Sequence, residues 1–319
     1  MNPFDAAWLD AQYNNRARIP EHPAIFDRWA RASARARLGT RCELDLPYGP
    51  ASTERLDVFR PARSNAPVFV FIHGGWWRSL DKRDHSFIAP VFTRAGALVV
   101  VPNYALCPAV TIEAIALQMV AALAWVHRHA RDFGGDPARI VVAGHSAGGH
   151  LAAMLLTCEW PRVADDLPQG LVRAALSISG VFDLEPLRHT PFLQADLRLT
   201  RASVRRLSPA GVQAPGGRLY ATVGALESEE FLRQNQLIRD AWGERAVPVC
   251  EAIAGTNHLD VLHALCDPAA RLHRLALDLL GLEAGAAAEE ANAPGEPQHR
   301  NHGAADCRRG DGPLFEFAA

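Results

Sequence analysis

The chain has 319 residues, 49% of them hydrophobic, and its 33 Lys and Arg nearly cancel 35 Asp and Glu. That balance fits a folded protein with a large core and argues against a disordered chain and against nucleic acid as a partner. No stretch approaches the roughly 20 apolar residues of a membrane span, so no membrane is expected and a cytoplasmic location follows.

Residues 1–41 carry Trp8, Tyr13, Phe26 and Trp29 among many Ala and Arg, which predicts one or two helices packed on the outside of a larger body. From 42 to 282 short β-branched runs alternate with longer segments of helical period, the pattern of an α/β fold. Val68–Ile72 (VFVFI) is continuously apolar over a strand's length, as is Ala97–Val101 (ALVVV). Runs of this kind mark strands buried on both faces of a parallel sheet. Ile112, Ile115, Met119, Leu123 and Val126 then recur at helical spacing within Thr111–Arg131, making a right-handed crossover to the next apolar run, Arg139–Ala143. Further strands are predicted at Ala174–Ile178, Arg218–Val223 and Val247–Ile253, and one terminal amphipathic helix over Val261–Leu282. Beyond that, 283–319 is a mixture of Ala, Gly, Pro and charge with no period that could bury a face, and is expected to be a disordered tail. The six cysteines are scattered without a CxxC pair and read as reduced thiols.

Chemistry concentrates at strand ends. Gly144-His145-Ser146-Ala147-Gly148-Gly149 follows the strand RIVVA and precedes the helix-compatible HLAAMLLTCEW, so it satisfies G-x-S-x-G in the strand–turn–helix context that exposes a nucleophilic serine. The Ala147 N–H would then stand at a helix N-terminus, where backbone donors and the dipole favour an oxyanion. His73-Gly74-Gly75-Trp76-Trp77 closes the VFVFI strand and resembles the HGG loop of esterases and lipases. Gly74, Gly75 and Trp76 are therefore candidate oxyanion donors with Ala147. Trp77, Tyr104 and Phe192 are candidate substrate contacts. His73 is expected to brace its loop rather than act as a base.

A serine hydroxyl needs an imidazole to take its proton. His258, in the loop between the last strand and last helix, occupies the place of the base in the order Ser, acid, His. His263 and His273 fall inside the terminal helix and read as surface or packing residues, while His145 and His150 lack the Glu of an HExxH metal site. Glu227, just past the strand RLYATV, is the preferred acid; Asp183 and Asp260 are rivals.

Taken together, LDAQYNNRARIPEH, HGGWW, VPNYALCP, GHSAGGHLAA, SGVFDLEPL, VGALESEEFLRQ and TNHLDVL resemble the kynurenine formamidase (arylformamidase) branch of the α/β hydrolases, close to the HGG-type esterases. The resemblance implies the α/β-hydrolase fold, a mostly parallel central sheet flanked by helices with a small cap after the sixth strand, in Glu185–Pro209. It implies nucleophile, acid and base roles for Ser146, Glu227 and His258, although Glu227 stands where such formamidases carry Asp. The implied reaction is hydrolysis of N-formyl-kynurenine, with no cofactor and no metal. The alternatives are a broad carboxylesterase on small aryl or alkyl esters and a hydrolase-like binding protein without turnover. A small acyl or formyl aryl compound is the expected partner, and a homodimer is the assembly to consider.

Overall fold

The computed structural model describes residues 5–283; the tail expected beyond them lies outside the described residues. One eight-stranded sheet organises the chain: β1 (Cys42–Pro47), β2 (Arg55–Phe59), β3 (Ala66–Ile72), β4 (Leu98–Pro102), β5 (Gly135–His145), β6 (Ala174–Ile178), β7 (Arg218–Gly224) and β8 (Val249–Ile253). Their spatial order is β1-β2-β4-β3-β5-β6-β7-β8. The six strands from β4 to β8 are mutually parallel, whereas β2 runs antiparallel to both β1 and β4. This is an α/β-hydrolase sheet with an antiparallel edge. The sequence pattern predicts neither β1 nor β2; β1 is half exposed and carries Glu43 and Asp45, and so lacks a continuous apolar run.

The central strands are buried throughout, as their composition requires. Along β3, Val68, Val70 and Ile72 face one core with the helices Ile112–His129 and Ala147–Leu156. Phe69 and Phe71 face the other core with the helices His22–Gly39 and Arg271–Leu280. The period-2 alternation of strand side chains thus feeds two layers from one uninterrupted apolar run.

One departure from the predicted elements has a local cause. The expected single terminal helix is two helices, Val261–Cys266 and Arg271–Leu280, because Asp267-Pro268 sits between them: the residue before proline disfavours helical geometry and proline lacks the N–H that would continue the ladder. His273 fastens the second piece to the first, its Nδ1 lying 2.9 Å from the Leu265 carbonyl. The cap after β6 is three short helices, Glu185–Arg188, Pro191–Leu197 and Arg201–Leu207.

Among the described residues no helix is long and apolar enough to cross a membrane. Cys42, Cys107, Cys158, Cys250 and Cys266 are free thiols. The helix Ala6–Tyr13 is tied to the helix Glu229–Ala246 by the buried Tyr13 hydroxyl, which donates to Glu230 Oε2 at 2.5 Å and accepts from Gln234 Nε2 at 3.1 Å. That anchor holds the helices Ala6–Tyr13 and Asn15–Arg18 over the carboxyl edge of the sheet.

Candidate active site

Because β3, β5, β6, β7 and β8 are parallel and in register, the loops that leave them emerge on one edge. In open α/β sheets this is the edge where ligands bind. Ser146 follows β5 directly, at φ 56° and ψ −117°. A non-glycine residue at positive φ is strained, and the strain lifts the side chain off the strand into the turn. The turn closes only because its neighbours are small: a Cβ at Gly148 would lie 2.0 Å from the Ile72 carbonyl oxygen.

The HGG loop lies against this elbow. A Cβ on Gly74 would come 3.1 Å from the Ser146 Cβ. Gly75 adopts φ +107°, and a Cβ there would meet the Ser79 carbonyl oxygen at 2.1 Å, so only glycine allows this turn. Its carbonyl accepts from the Arg78 and Ser79 N–H groups at 3.1 and 3.0 Å. Trp76 and Trp77 follow at φ 54° and 53°. Among the described residues no backbone or side-chain acceptor takes the N–H of Gly75, Trp76 or Ala147. Free N–H groups beside a serine are what an oxyanion requires.

His258 lies across the pocket from the elbow. Its Nδ1–H donates to Glu227 Oε2 at 2.5 Å, and both side chains are buried. With Nδ1 engaged, Nε2 is the ring nitrogen left without a hydrogen-bond partner among the described residues. The other carboxylate oxygen, Oε1, accepts from Ser179 Oγ at 2.5 Å and from the Gly224 N–H at 2.7 Å. Glu227 therefore reaches the imidazole from a fixed position, its own backbone held by a turn in which its N–H donates to the Gly224 carbonyl at 3.1 Å. The two rival acids are elsewhere. Asp183 accepts from the Glu185 N–H at 3.0 Å, and Asp260 accepts from Asn257 Nδ2 at 2.8 Å.

Two residues that sequence reasoning did not assign shape this centre. Ser179, at φ 54° at the end of β6, fixes the carboxylate. His145, the residue before the serine, donates from Nε2 to the His258 carbonyl at 2.7 Å and ties the His258 loop to the elbow. Burial, with the adjacent His258 ring adding to it, pushes His145 well below the usual histidine range and keeps it neutral. The signal for Ser179 was present, a hydroxyl at a strand end beside the acid's strand, but a lone serine has too many ordinary uses to stand out.

Around Ser146 and His258 a pocket is lined by Gly75, Trp76, Leu80 and Phe192 and by Asn15, Arg16, Phe26 and Trp29 of the N-terminal segment. Phe192 lies in the wall as expected. Trp77 and Tyr104 do not line it: Trp77 is fully buried edge-on against His150, and Tyr104 stacks on His73 with its hydroxyl donating to the His73 carbonyl at 2.9 Å. Both brace the HGG loop from below. His73 likewise serves its own loop, with Nδ1–H donating to the Gly74 carbonyl at 2.8 Å. His150 donates from Nε2 to the Leu207 carbonyl at 2.7 Å and fastens the cap to the elbow helix. Among the described residues no cluster of His, Cys, Asp and Glu could hold a metal ion.

A family model described as having the alpha/beta hydrolase fold matches residues 69–218, the segment from the HGG strand to the start of β7. A kynurenine formamidase of Danio rerio is 30% identical over 256 residues, spanning 77% of this chain and 85% of that protein. The chain belongs to the kynurenine-formamidase-like branch of the α/β hydrolases. Other members of the wider α/β-hydrolase group are also similar. A putative thioesterase from Silicibacter sp. TM1040 superposes at a TM-score of 0.71 with 32% identity, over 83% of this chain and 97% of that one. Esterase LipQ of Mycobacterium tuberculosis is 36% identical over 152 residues, which is 44% of this chain and 35% of that protein. This α/β hydrolase is an enzyme of the hydrolase class.

Proposed function

We propose that this hydrolase cleaves an aryl formamide, N-formyl-kynurenine in the first instance, to formate and the free aryl amine. Ser146 is the nucleophile, His258 the general base and Glu227 the carboxylate that holds the imidazole in the right tautomer. As Ser146 Oγ attacks the formyl carbon, His258 Nε2 takes its proton and the carbonyl oxygen turns toward the N–H groups of the Gly74–Trp76 loop and Ala147. The tetrahedral species collapses with His258 returning the proton to the departing aryl nitrogen, and the formyl ester on Ser146 is then hydrolysed by water activated the same way. The observation that carries this reading is the Nδ1-to-carboxylate bond of His258, made by a ring that lines the same pocket as the elbow serine. The aryl part of the reading is supported by the aromatic wall of Phe26, Trp29, Trp76 and Phe192.

An ester substrate is the second reading, favoured by the likeness to LipQ. Specificity constants for N-formyl-kynurenine and for short-chain aryl acetates on the purified protein, with the Ser146→Ala variant as blank, separate the two. A formamidase favours the formamide by a large factor. Failure of a fluorophosphonate to label Ser146 would sink both readings and point to a binding protein without turnover.

A further inference from the structure

The helix Asn15–Arg18 brings a cation to the mouth of the pocket. Two charged side chains line that pocket, Arg16 and Arg78, and no carboxylate does. They are not equivalent. Arg78 is neutralised by Asp196 of the cap and also donates to the Phe192 carbonyl at 3.0 Å. Arg16 donates to the neutral hydroxyl of Ser79 at 3.1 Å and lies over the Phe26 ring, 5.5 Å from its centroid. Among the described residues no carboxylate comes within ion-pair distance of it. Burial, and then Arg78, disfavour its charged form. Beside it, Asn15 is buried and also lines the pocket, and its Nδ2 has no acceptor within the protein. A guanidinium with no carboxylate partner, set beside a buried amide donor with no acceptor, is a ready receptor for an anion.

We propose that Arg16 is a specificity-determining residue that receives a carboxylate carried on the aryl portion of the substrate, with Asn15 Nδ2 as a second donor. The guanidinium fork suits a carboxylate bidentately. Ser79, the Arg16 partner, sits in the turn whose N–H groups donate to the Gly75 carbonyl, so the anion site and the oxyanion loop share one short piece of backbone. The inference rests on reading Ser146 as the nucleophile of this pocket; it does not require the scissile bond to be an amide.

The test uses two matched pairs on the full chain. One is N-formyl-kynurenine against its α-carboxamide. The other is an aryl acetate whose phenol ring bears a carboxyethyl arm against the same ester bearing the carboxamide. The readout is the ratio of kcat/KM for the anionic over the uncharged member. Wild-type enzyme favours the anion, and Arg16→Ala lowers that ratio by about 10- to 100-fold, the range for one charge-assisted hydrogen-bonded pair. Arg16→Gln, which can still donate to Ser79 Oγ but carries no charge, gives a similar fall, which loss of helix docking would not produce. A ratio within twofold of wild type in both variants overturns the proposal. If the formamides are not turned over and the acetates are, the formamidase reading fails while the acetate ratio still decides the role of Arg16.

Discussion

Ser179 Oγ donates to Glu227 Oε1 at 2.5 Å while the opposite oxygen of the same carboxylate holds His258, so the acid is gripped at both ends. The residue after β6 supplies the hydroxyl that steadies the carboxylate, and the turn after β7 presents that carboxylate. A glutamate, longer by one methylene than aspartate and with more rotamers to lose, gains most from such a grip.

Glu227→Gln keeps the shape of the side chain but removes the charge and turns one oxygen into a donor. With the wrong partner facing Nδ1, kcat should fall by about 10³- to 10⁴-fold with little change in KM. Ser179→Ala leaves the carboxylate in place with one support fewer, and about a tenfold loss is expected, the lower end for a hydrogen bond to a charged group. Steady-state kinetics on the two variants check the order. Equal losses would mean that Ser179 is part of the chemistry rather than a support.

Ser146→Ala should abolish turnover to within the residue left by binding and the oxyanion donors, a fall of more than about 10⁴-fold in kcat. Covalent labelling by a fluorophosphonate, read by intact-mass spectrometry, should disappear with it. A variant that still acylates would show that another group attacks.

Gly75→Ala places a Cβ 2.1 Å from the Ser79 carbonyl oxygen at a φ of +107°. The loop has to move, at about 1–3 kcal/mol of backbone strain, and its N–H groups leave the oxyanion position. A drop in kcat of about 10²-fold or more is expected, with a melting temperature lowered by only a few degrees. Loss of the fold, seen as a lost near-ultraviolet circular dichroism spectrum, would make the glycine structural before it is functional.

Burial lowers His150 to about 4 and His85 to about 3. An unfolded histidine titrates near 6.5, so the unfolded chain takes up protons first as the solution is acidified. For a base whose folded value is depressed, stability is complete above pH 6.5 and is lost as pH falls from there toward 4, on the order of 1.4 kcal/mol per pH unit for each such histidine. Thermal melts between pH 7.5 and 4.5 should show this slope, and His150→Gln should flatten it. A variant as acid-sensitive as wild type would shift the cause to other groups.

Much of this arrangement was legible in the letters because it depends on local constraints. VFVFI could only be a strand buried on both faces, and glycines two positions either side of Ser146 could only be a tight turn. Chain order offers His258 as the candidate base and leaves Glu227 preferred over Asp183 and Asp260. What the sequence hid depended on contacts across the fold. Trp77 and Tyr104 looked like pocket aromatics, yet whether a ring beside a loop faces ligand or core is decided by neighbours such as His150 and His73 that are distant in the chain. Ser179 and His145 were invisible for the same reason, since each acts through a residue more than forty positions away. The N-terminal segment gave an amphipathic pattern, but no pattern says which side of a sheet a helix will cover.

Its position has a consequence for how such an enzyme diversifies. The reacting groups hang from strands whose geometry the whole core enforces, while the walls that meet the rest of the substrate belong to two appended pieces, the opening helices and the segment bearing Phe192. Neither piece contributes a strand. The segment bearing Phe192 can be lengthened, exchanged or recharged at less expense than the helix His22–Gly39, whose Ile25 and Trp29 belong to the core, so appetite for new molecules can drift there while the sheet stays as it is.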